Sequence, residues 1–91
     1  MILKPKSKGE CFRMITQTCP PKDHEYGWYG ETVEKWAKLF GITKAKFWKV
    51  FGVNTCMIDS SNGKTVYYEC DIERTIRECI NRKWVSGYEW D

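Results

Sequence analysis

The chain has 91 residues, of which 42% are hydrophobic and 15% aromatic, so it can bury one modest core, and an intrinsically disordered protein is excluded. The net charge is only +3, from 15 Lys and Arg against 12 Asp and Glu, which excludes a strongly basic protein. The charge is uneven: residues 31–52 have five lysines and two glutamates (5 − 2 = +3), whereas residues 69–91 have four basic and six acidic residues (4 − 6 = −2). An anionic partner is therefore expected at the middle of the chain.

The cysteines and the N-terminus predict an intracellular, cytoplasmic protein. There are five cysteines, and an odd number cannot pair completely within one chain, so thiols in a reducing cytosol are the simplest interpretation. The N-terminal lysines are not followed by a hydrophobic block, so no secretory signal is expected. No run is apolar enough to predict a membrane span. The cysteines are Cys11, Cys19, Cys56, Cys70 and Cys79.

The first nine residues are predicted to form a flexible basic arm, with a single domain at 10–91. Lysines alternate with Pro, Ser and Gly in this arm, at Lys4, Lys6 and Lys8. Such a segment is either a soluble terminus without a partner or an arm that lies along phosphate groups, as in some small DNA-binding domains.

Residues 10–19, ECFRMITQTC, are rich in aromatic, β-branched and Cys residues and predict the first strand. Phe12, Met14 and Thr16 would share one face of that strand. Two prolines follow at once and end it, since proline cannot donate a hydrogen bond to a neighbouring strand.

The segment that follows, CPPKDHEYGWYGE, is predicted to be a loop because it is rich in Pro, Gly and charged residues. Its aromatic side chains, Tyr26, Trp28 and Tyr29, have two interpretations. Either they pack over the core, or they form an exposed aromatic patch for a partner.

Residues 32–52 predict two short helices joined by a three-residue turn. Gly41 interrupts the helical pattern where a left-handed residue is needed to end a helix, and Thr43 can cap the next one. The helices are expected at about 33–40 and 44–51. Their apolar side chains recur at helical spacing, at Val33, Trp36, Ala37, Phe40, Ile42, Phe47 and Val50.

This stretch resembles the helix-turn-helix family of DNA-binding modules. The small Ala37 lies where the second helix would cross closely, and Gly41 follows four residues later. Ile42 and Thr43 supply the expected aliphatic and hydroxyl residues, and Phe47 is the expected bulky apolar residue four positions past the cap. The phrase YGETVEKWAKLFGITKAKF is also similar to small DNA-binding repeats of phage and mobile-element proteins.

The resemblance implies a recognition helix at 43–51 that lies in a major groove. In this interpretation lysines contact phosphates or guanine edges, and a small alanine meets a thymine methyl group. Trp48 departs from the usual polar pattern, and it can instead be core or a protein-binding anchor. The outward residues would be Thr43, Lys44, Ala45, Trp48 and Lys49, with Lys46 on the flank.

A β-hairpin is predicted after the recognition helix. Asn62-Gly63 suits a two-residue type I′ turn. If Ser61 opposes Lys64, then Ile58 opposes Tyr67. A hairpin at this place is the wing of winged helix-turn-helix proteins, and its tip, including Lys64, would approach the DNA backbone or minor groove. The alternative is an ordinary hairpin that completes the sheet with the strand at 10–19.

The last element is predicted to be an amphipathic helix at about 72–84, capped by Asp71. Ile72, Ile76, Cys79, Ile80 and Lys83/Trp84 mark one face, and pairs spaced i, i+4 mark the other: Glu73–Arg77, Arg74–Glu78 and Glu78–Arg82. A typical winged domain begins with a helix before its first strand, and none is predicted here. We therefore expect the C-terminal helix to fill that place.

Catalytic and metal-binding patterns are weak. The single histidine, His24, has no recognisable nucleophile partner, so no enzyme is expected. Cys11, Cys19 and His24 have the spacing C-x7-C-x4-H, but no close pair such as C-x2-C occurs, so buried thiols are favoured over a zinc site. No cofactor or metal is expected.

The combined prediction is an α+β, winged helix-turn-helix-like single domain with a β-hairpin wing and a C-terminal amphipathic helix. The expected function is double-stranded DNA binding, as a small transcription regulator or an excisionase-like architectural factor, acting as a homodimer or as adjacent copies on DNA. The alternative is a phage-encoded inhibitor that uses the same scaffold to bind a host nucleic-acid enzyme or defence protein. The predicted DNA-binding residues are Thr43, Lys44, Ala45, Lys46, Trp48, Lys49 and Lys64.

Overall fold

Four helices and a three-stranded antiparallel sheet make up the computed structural model, which describes residues 7–52 and 56–85. The expected α+β class is confirmed. The helices are α1 (Lys8–Gln17), α2 (Gly30–Leu39), α3 (Lys44–Phe51) and α4 (Glu69–Asn81), and the strands are β1 (Gly27–Tyr29), β2 (Cys56–Ile58) and β3 (Thr65–Tyr68).

The predicted strand at 10–19 is wrong, because this segment forms α1. The Ser7 hydroxyl caps the helix by accepting a hydrogen bond from the Glu10 backbone N–H at 3.2 Å. The sequence S-x-x-E is the capping-box signature of a helix start. Cys11 and Ile15, one helical turn apart, are both fully buried. Burial therefore follows the helical period and not the alternation of a strand.

Helix α1 has two consequences for the predicted architecture. The chain does have a helix before its first strand, so the expectation that the C-terminal helix fills that place is wrong. Instead, α4 packs against α1, α3 and β3. Lys8 and Gly9 belong to α1, whereas residues 1–6 of the predicted arm lie outside the described residues.

The first strand lies inside the segment predicted to be a loop. Trp28 of β1 is 1% exposed, and its indole N–H donates to the Pro20 carbonyl at 2.9 Å. Gly27 pairs with Tyr68, and a Cβ on Gly27 would overlap the Tyr67 carbonyl oxygen, so the close approach of β1 and β3 requires glycine. Trp28 therefore packs in the core, whereas Tyr26 is among the large apolar side chains that remain exposed.

The two helices and the turn predicted at 32–52 are confirmed, but Phe51 is buried in α3 where Val50, which is only partly buried, was expected. The range predicted for α3 is confirmed at both ends, whereas α2 begins three residues before its predicted start. Gly41 has a φ of +72°, the left-handed conformation expected of a residue that ends a helix. Thr43 caps α3, since its hydroxyl accepts from the Lys46 N–H at 3.3 Å. The buried apolar side chains of the segment are Val33, Trp36, Ala37, Phe40, Ile42, Phe47 and Phe51.

The predicted hairpin is confirmed as an element, but its turn and register are wrong. Ile58 pairs with Thr65 rather than with Tyr67, a shift of two residues. The Asp59 backbone N–H donates to the Lys64 carbonyl at 2.8 Å, so four residues form the loop. Because the Asp59 side chain binds inside this loop, local hydrogen bonds override the two-residue turn that Asn-Gly favours alone.

Helix α4 is the predicted C-terminal helix, but it begins at Glu69 and ends at Asn81. The capping prediction for Asp71 is wrong, since Tyr68 is the N-cap residue and Asp71 lies in the first turn. Of the three predicted ion pairs, Glu78–Arg82 forms at 2.9 Å, and Arg74 instead contacts Asp71 at 3.3 Å. The buried face of α4 consists of Ile72, Thr75, Ile76, Cys79 and Ile80.

Candidate nucleic-acid interface

Helix α3 has one buried side and one exposed side. Phe47 is fully buried and Phe51 is 5% exposed, which anchors the helix to the core. Four other residues of α3 face solvent. Three of the four exposed positions carry a positive charge, so the outer side of α3 is a compact basic surface. These exposed residues are Lys44, Ala45, Lys46 and Lys49.

Trp48 does not share that surface. The residue is half-buried, and its indole N–H donates to the Glu34 carboxylate Oε2 at 2.7 Å. Its ring centroid lies 5.3 Å from that of Phe51 and 5.1 Å from that of Tyr67. Of the two interpretations of Trp48, the structure favours packing, because the ring joins α3 to α2 and to β3.

Two predicted site lysines have carboxylate partners. Lys44 Nζ lies 3.6 Å from Glu34 Oε1, and Lys64 Nζ lies 3.5 Å from Glu31 Oε1. Lys64 also lies over the Tyr29 ring, 5.1 Å from its centroid. The Lys64–Glu31 pair is solvent-exposed and weak, so an anionic partner can replace Glu31 at small cost, whereas the Glu34 side chain of the other pair is only 26% exposed.

The remaining lysines of α3 converge on Trp84, which follows α4. Lys46 Nζ and Lys49 Nζ each lie 5.9 Å from the centroid of this half-buried ring. The Arg82 guanidinium lies 5.0 Å from the same centroid and pairs with Glu78. We call Lys46, Lys49, Arg82, Lys83 and Trp84 the Trp84 cluster. The sequence interpretation missed it, because Lys83 and Trp84 were assigned to the buried face of the last helix.

A backbone turn aims Trp84 at α3. Lys83 has a φ of 59° and is the non-glycine residue with positive φ among residues 7–52 and 56–85. Its N–H donates to the Ile80 carbonyl at 3.0 Å, and the Trp84 N–H donates to the Cys79 carbonyl at 2.9 Å. This pair of bonds is a Schellman motif, which normally has glycine where Lys83 stands.

The hairpin tip is held to β1 by a hydrogen-bond network around Asp59, which is 8% exposed. The Ser61 hydroxyl and N–H donate to Asp59 Oδ1 at 2.6 and 2.9 Å, and the Tyr29 hydroxyl donates to Oδ2 at 2.6 Å. These donors, led by the Ser61 hydroxyl, lower the pKa of Asp59 to about 2. The same bond to Asp59 raises the pKa of Tyr29.

A cleft of about 340 Å³ lies between α3 and α4, next to the Trp84 cluster. Two ion pairs, Arg74–Asp71 and Arg82–Glu78, lie along its α4 side. The cleft is lined by Val50, Phe51, Arg74, Thr75, Glu78 and Arg82.

Cys11 and Cys79 pack in the core, whereas Cys70 is exposed. Cys11 and Cys79 are fully buried, and burial raises the pKa of each thiol to about 11. Within the described residues, no three side chains of His, Cys, Asp or Glu come together as a metal site. His24 accepts a hydrogen bond from the Tyr26 N–H through Nδ1 at 3.2 Å.

Comparison with known proteins gives no family for this chain. No family model matches it, and we found no match among curated proteins or among solved structures. The helices that the structure describes are all too short or too polar to span a bilayer.

Proposed function

We propose that the protein binds double-stranded DNA, with α3 in the major groove and the β2–β3 hairpin beside the backbone. The observation that carries the proposal is the outer side of α3, where Lys44, Ala45, Lys46 and Lys49 are exposed. A second support is the order of elements: helix, strand, two helices and hairpin, with sheet order β1-β3-β2. This order resembles that of winged helix-turn-helix proteins, whose second helix of the pair reads the major groove.

The residues have distinct expected contacts. Lys49 has no carboxylate within ion-pair distance among the described residues, so it is the leading candidate for a phosphate or guanine contact. Lys44 would first have to break its ion pair with Glu34 before it could contact the DNA. Ala45 is small enough to meet a thymine methyl group, and Lys64 would leave Glu31 for a backbone phosphate. The Thr43 hydroxyl already caps α3, which leaves its methyl group for contact.

The test is binding of the purified full chain to random-sequence duplex DNA at low and near-physiological salt. Binding is expected to fall steeply with salt, because lysines release counterions from phosphates. Lys49→Ala should weaken binding and reduce the salt slope by about one unit, and Lys44→Ala should have a smaller effect. Arg13→Ala, an equal loss of charge on the exposed side of α1, is the matched control and should bind as the native chain does.

Absence of binding at low salt would refute DNA binding and favour the alternative, an inhibitor of a host nucleic-acid enzyme or defence protein. The observation on that side is that Lys44 and Lys64 are already paired with glutamates in the unbound protein. Should the duplex bind, a single module offers a small interface, and specific recognition would require a dimer or adjacent copies on DNA.

A further inference from the structure

We propose that the Trp84 cluster binds a phosphate group of the nucleic-acid backbone, so that the end of α4 is a second DNA-contacting element beside α3. This inference rests on the proposed function and adds Arg82, Lys83 and Trp84 to it.

Positive charge is crowded around one aromatic ring. Lys46, Lys49 and Arg82 all lie within 5.9 Å of the Trp84 centroid, so any two of these charges are separated by less than about 12 Å. One carboxylate, Glu78, compensates Arg82 at 2.9 Å. A surplus of positive charge therefore remains at the ring, and an anion that binds there would relieve the repulsion.

Trp84 is fixed by the backbone and not only by the cations. The Schellman motif turns the chain at Lys83, and Val85, 8% exposed, packs in the core directly after Trp84. Glycine would adopt the left-handed conformation at Lys83 without strain. The chain instead has a fourth cation there, an exposed lysine that directly precedes Trp84 in the sequence. Backbone strain of this kind clusters at active sites, ligand clamps and switch regions.

The donors around the ring can bind the anionic oxygens of a phosphodiester. Arg82 offers a planar fork that can make two parallel bonds to phosphate, and the lysines act as point charges on either side. Lys46 and Lys49 also belong to the exposed side of α3. A DNA strand that borders the groove occupied by α3 would therefore pass the cluster, whereas an acidic protein has no such reason to contact both elements.

The experiment measures duplex affinity and its salt dependence with two opposite variants of the full chain. Lys83→Gly removes one charge and relieves the left-handed strain, so a loss of affinity cannot be attributed to unfolding. We expect affinity to fall roughly 5–10-fold at 0.1 M salt and the salt slope to decrease by about 0.9. Glu78→Gln releases Arg82 and should raise affinity and steepen the slope. Arg13→Gln on α1 is the control and should leave both unchanged.

The outcomes separate this inference from the proposed function. If the native chain binds duplex DNA and neither Lys83→Gly nor Glu78→Gln changes the affinity or the slope, the Trp84 cluster is not a phosphate site, although DNA binding stands. If the native chain does not bind at low salt, the proposed function fails and this inference fails with it. If poly-glutamate displaces the duplex as efficiently as a second duplex does, the cluster binds acidic proteins and the phosphate assignment is overturned.

Discussion

Asp59 determines the hairpin conformation through its charge. The carboxylate accepts three hydrogen bonds, two from Ser61 and one from Tyr29, and these favour its ionised form. Its pKa is lowered from 3.8 to about 2 in the folded protein. A carboxyl whose pKa is lowered by folding stabilises the folded state above its unfolded pKa, and that stabilisation disappears as the pH falls through the folded value.

We therefore expect Asp59→Asn to unfold at a lower temperature than the native chain at pH 7, with a gap that shrinks between about pH 4 and pH 2. Thermal unfolding of both proteins across this range is the measurement. Tyr29→Phe removes one donor and should give a smaller gap with the same pH dependence. A gap that stays constant down to pH 2 would show that the carboxylate charge does not hold the hairpin.

Lys83 adopts a conformation that costs a non-glycine residue on the order of 1–2 kcal/mol. Lys83→Gly should raise the free energy of unfolding by about 0.5–1 kcal/mol. Glycine removes the strain of the folded state, and the greater conformational entropy of glycine in the unfolded chain offsets part of that gain. Urea unfolding monitored by circular dichroism measures the change. Lys83→Ala keeps the strain and should not stabilise the protein. Equal stability of the two variants would mean that the φ of 59° is not strained in this turn.

At the scale of elements, Glu34 couples α2 and α3. One oxygen accepts from the Trp48 indole at 2.7 Å, and the other lies 3.6 Å from Lys44. Glu34→Gln keeps an acceptor for the indole but loses the ion pair, so stability should change by less than about 1 kcal/mol. Glu34→Ala leaves a part-buried indole N–H without its partner and should cost about 1–2 kcal/mol.

The same pair of variants separates packing from binding. Because Glu34→Gln releases Lys44, it should strengthen duplex DNA binding, and an anisotropy titration at fixed salt would detect this. Lys49→Gln offers the reverse comparison, since it should weaken binding without changing stability. Unchanged DNA affinity in Glu34→Gln would mean that Lys44 makes no contact with the duplex.

The elements that could be predicted are those whose ends are marked by turn or capping residues close together in the sequence. The turn at Gly41 and the cap at Thr43 are local, and they marked the end of α2 and the start of α3. The capping box of Ser7 and Glu10 was equally local, but the β-propensity of the neighbouring residues was given more weight than their i, i+4 spacing. The hairpin turn was missed for a different reason: Asp59 binds donors from outside the two-residue turn motif.

The candidate site was predictable only where one helix carries it. A period of 3.6 residues places Ala45 and Lys49 opposite Phe47, whereas Lys44, three residues before Phe47, is exposed at the start of the helix; those four positions are as expected. The Trp84 cluster brings α3 together with a residue that follows α4, and it depends on a left-handed lysine that no composition rule predicts. Contacts between distant elements of this kind follow from the packing of α3 on α4, which periodicity does not specify.

At the scale of the molecule, α1 and α4 each contribute one fully buried thiol to the core. Cys11 lies on α1 and Cys79 on α4, and these two helices pack together. Burial disfavours the thiolate and raises the pKa of each thiol from 9.0 to about 11. A group whose pKa is raised by folding stabilises the folded state fully below its unfolded pKa, so this contribution is lost as the pH rises from 9 towards 11.

Two results should follow for the intact chain. A thiol reagent at pH 8 should label the exposed Cys70 quickly, whereas Cys11 and Cys79 should react only as fast as the molecule opens, which peptide mass spectrometry with and without urea can distinguish. The midpoint of urea unfolding should also fall between pH 9 and pH 11, and it should fall less in Cys11→Ala, although that variant is less stable at pH 7. Equal labelling of Cys11 and Cys70 in native buffer would mean that α1 separates from α4 without global unfolding, and the core would then be closed by α2, α3 and α4 alone.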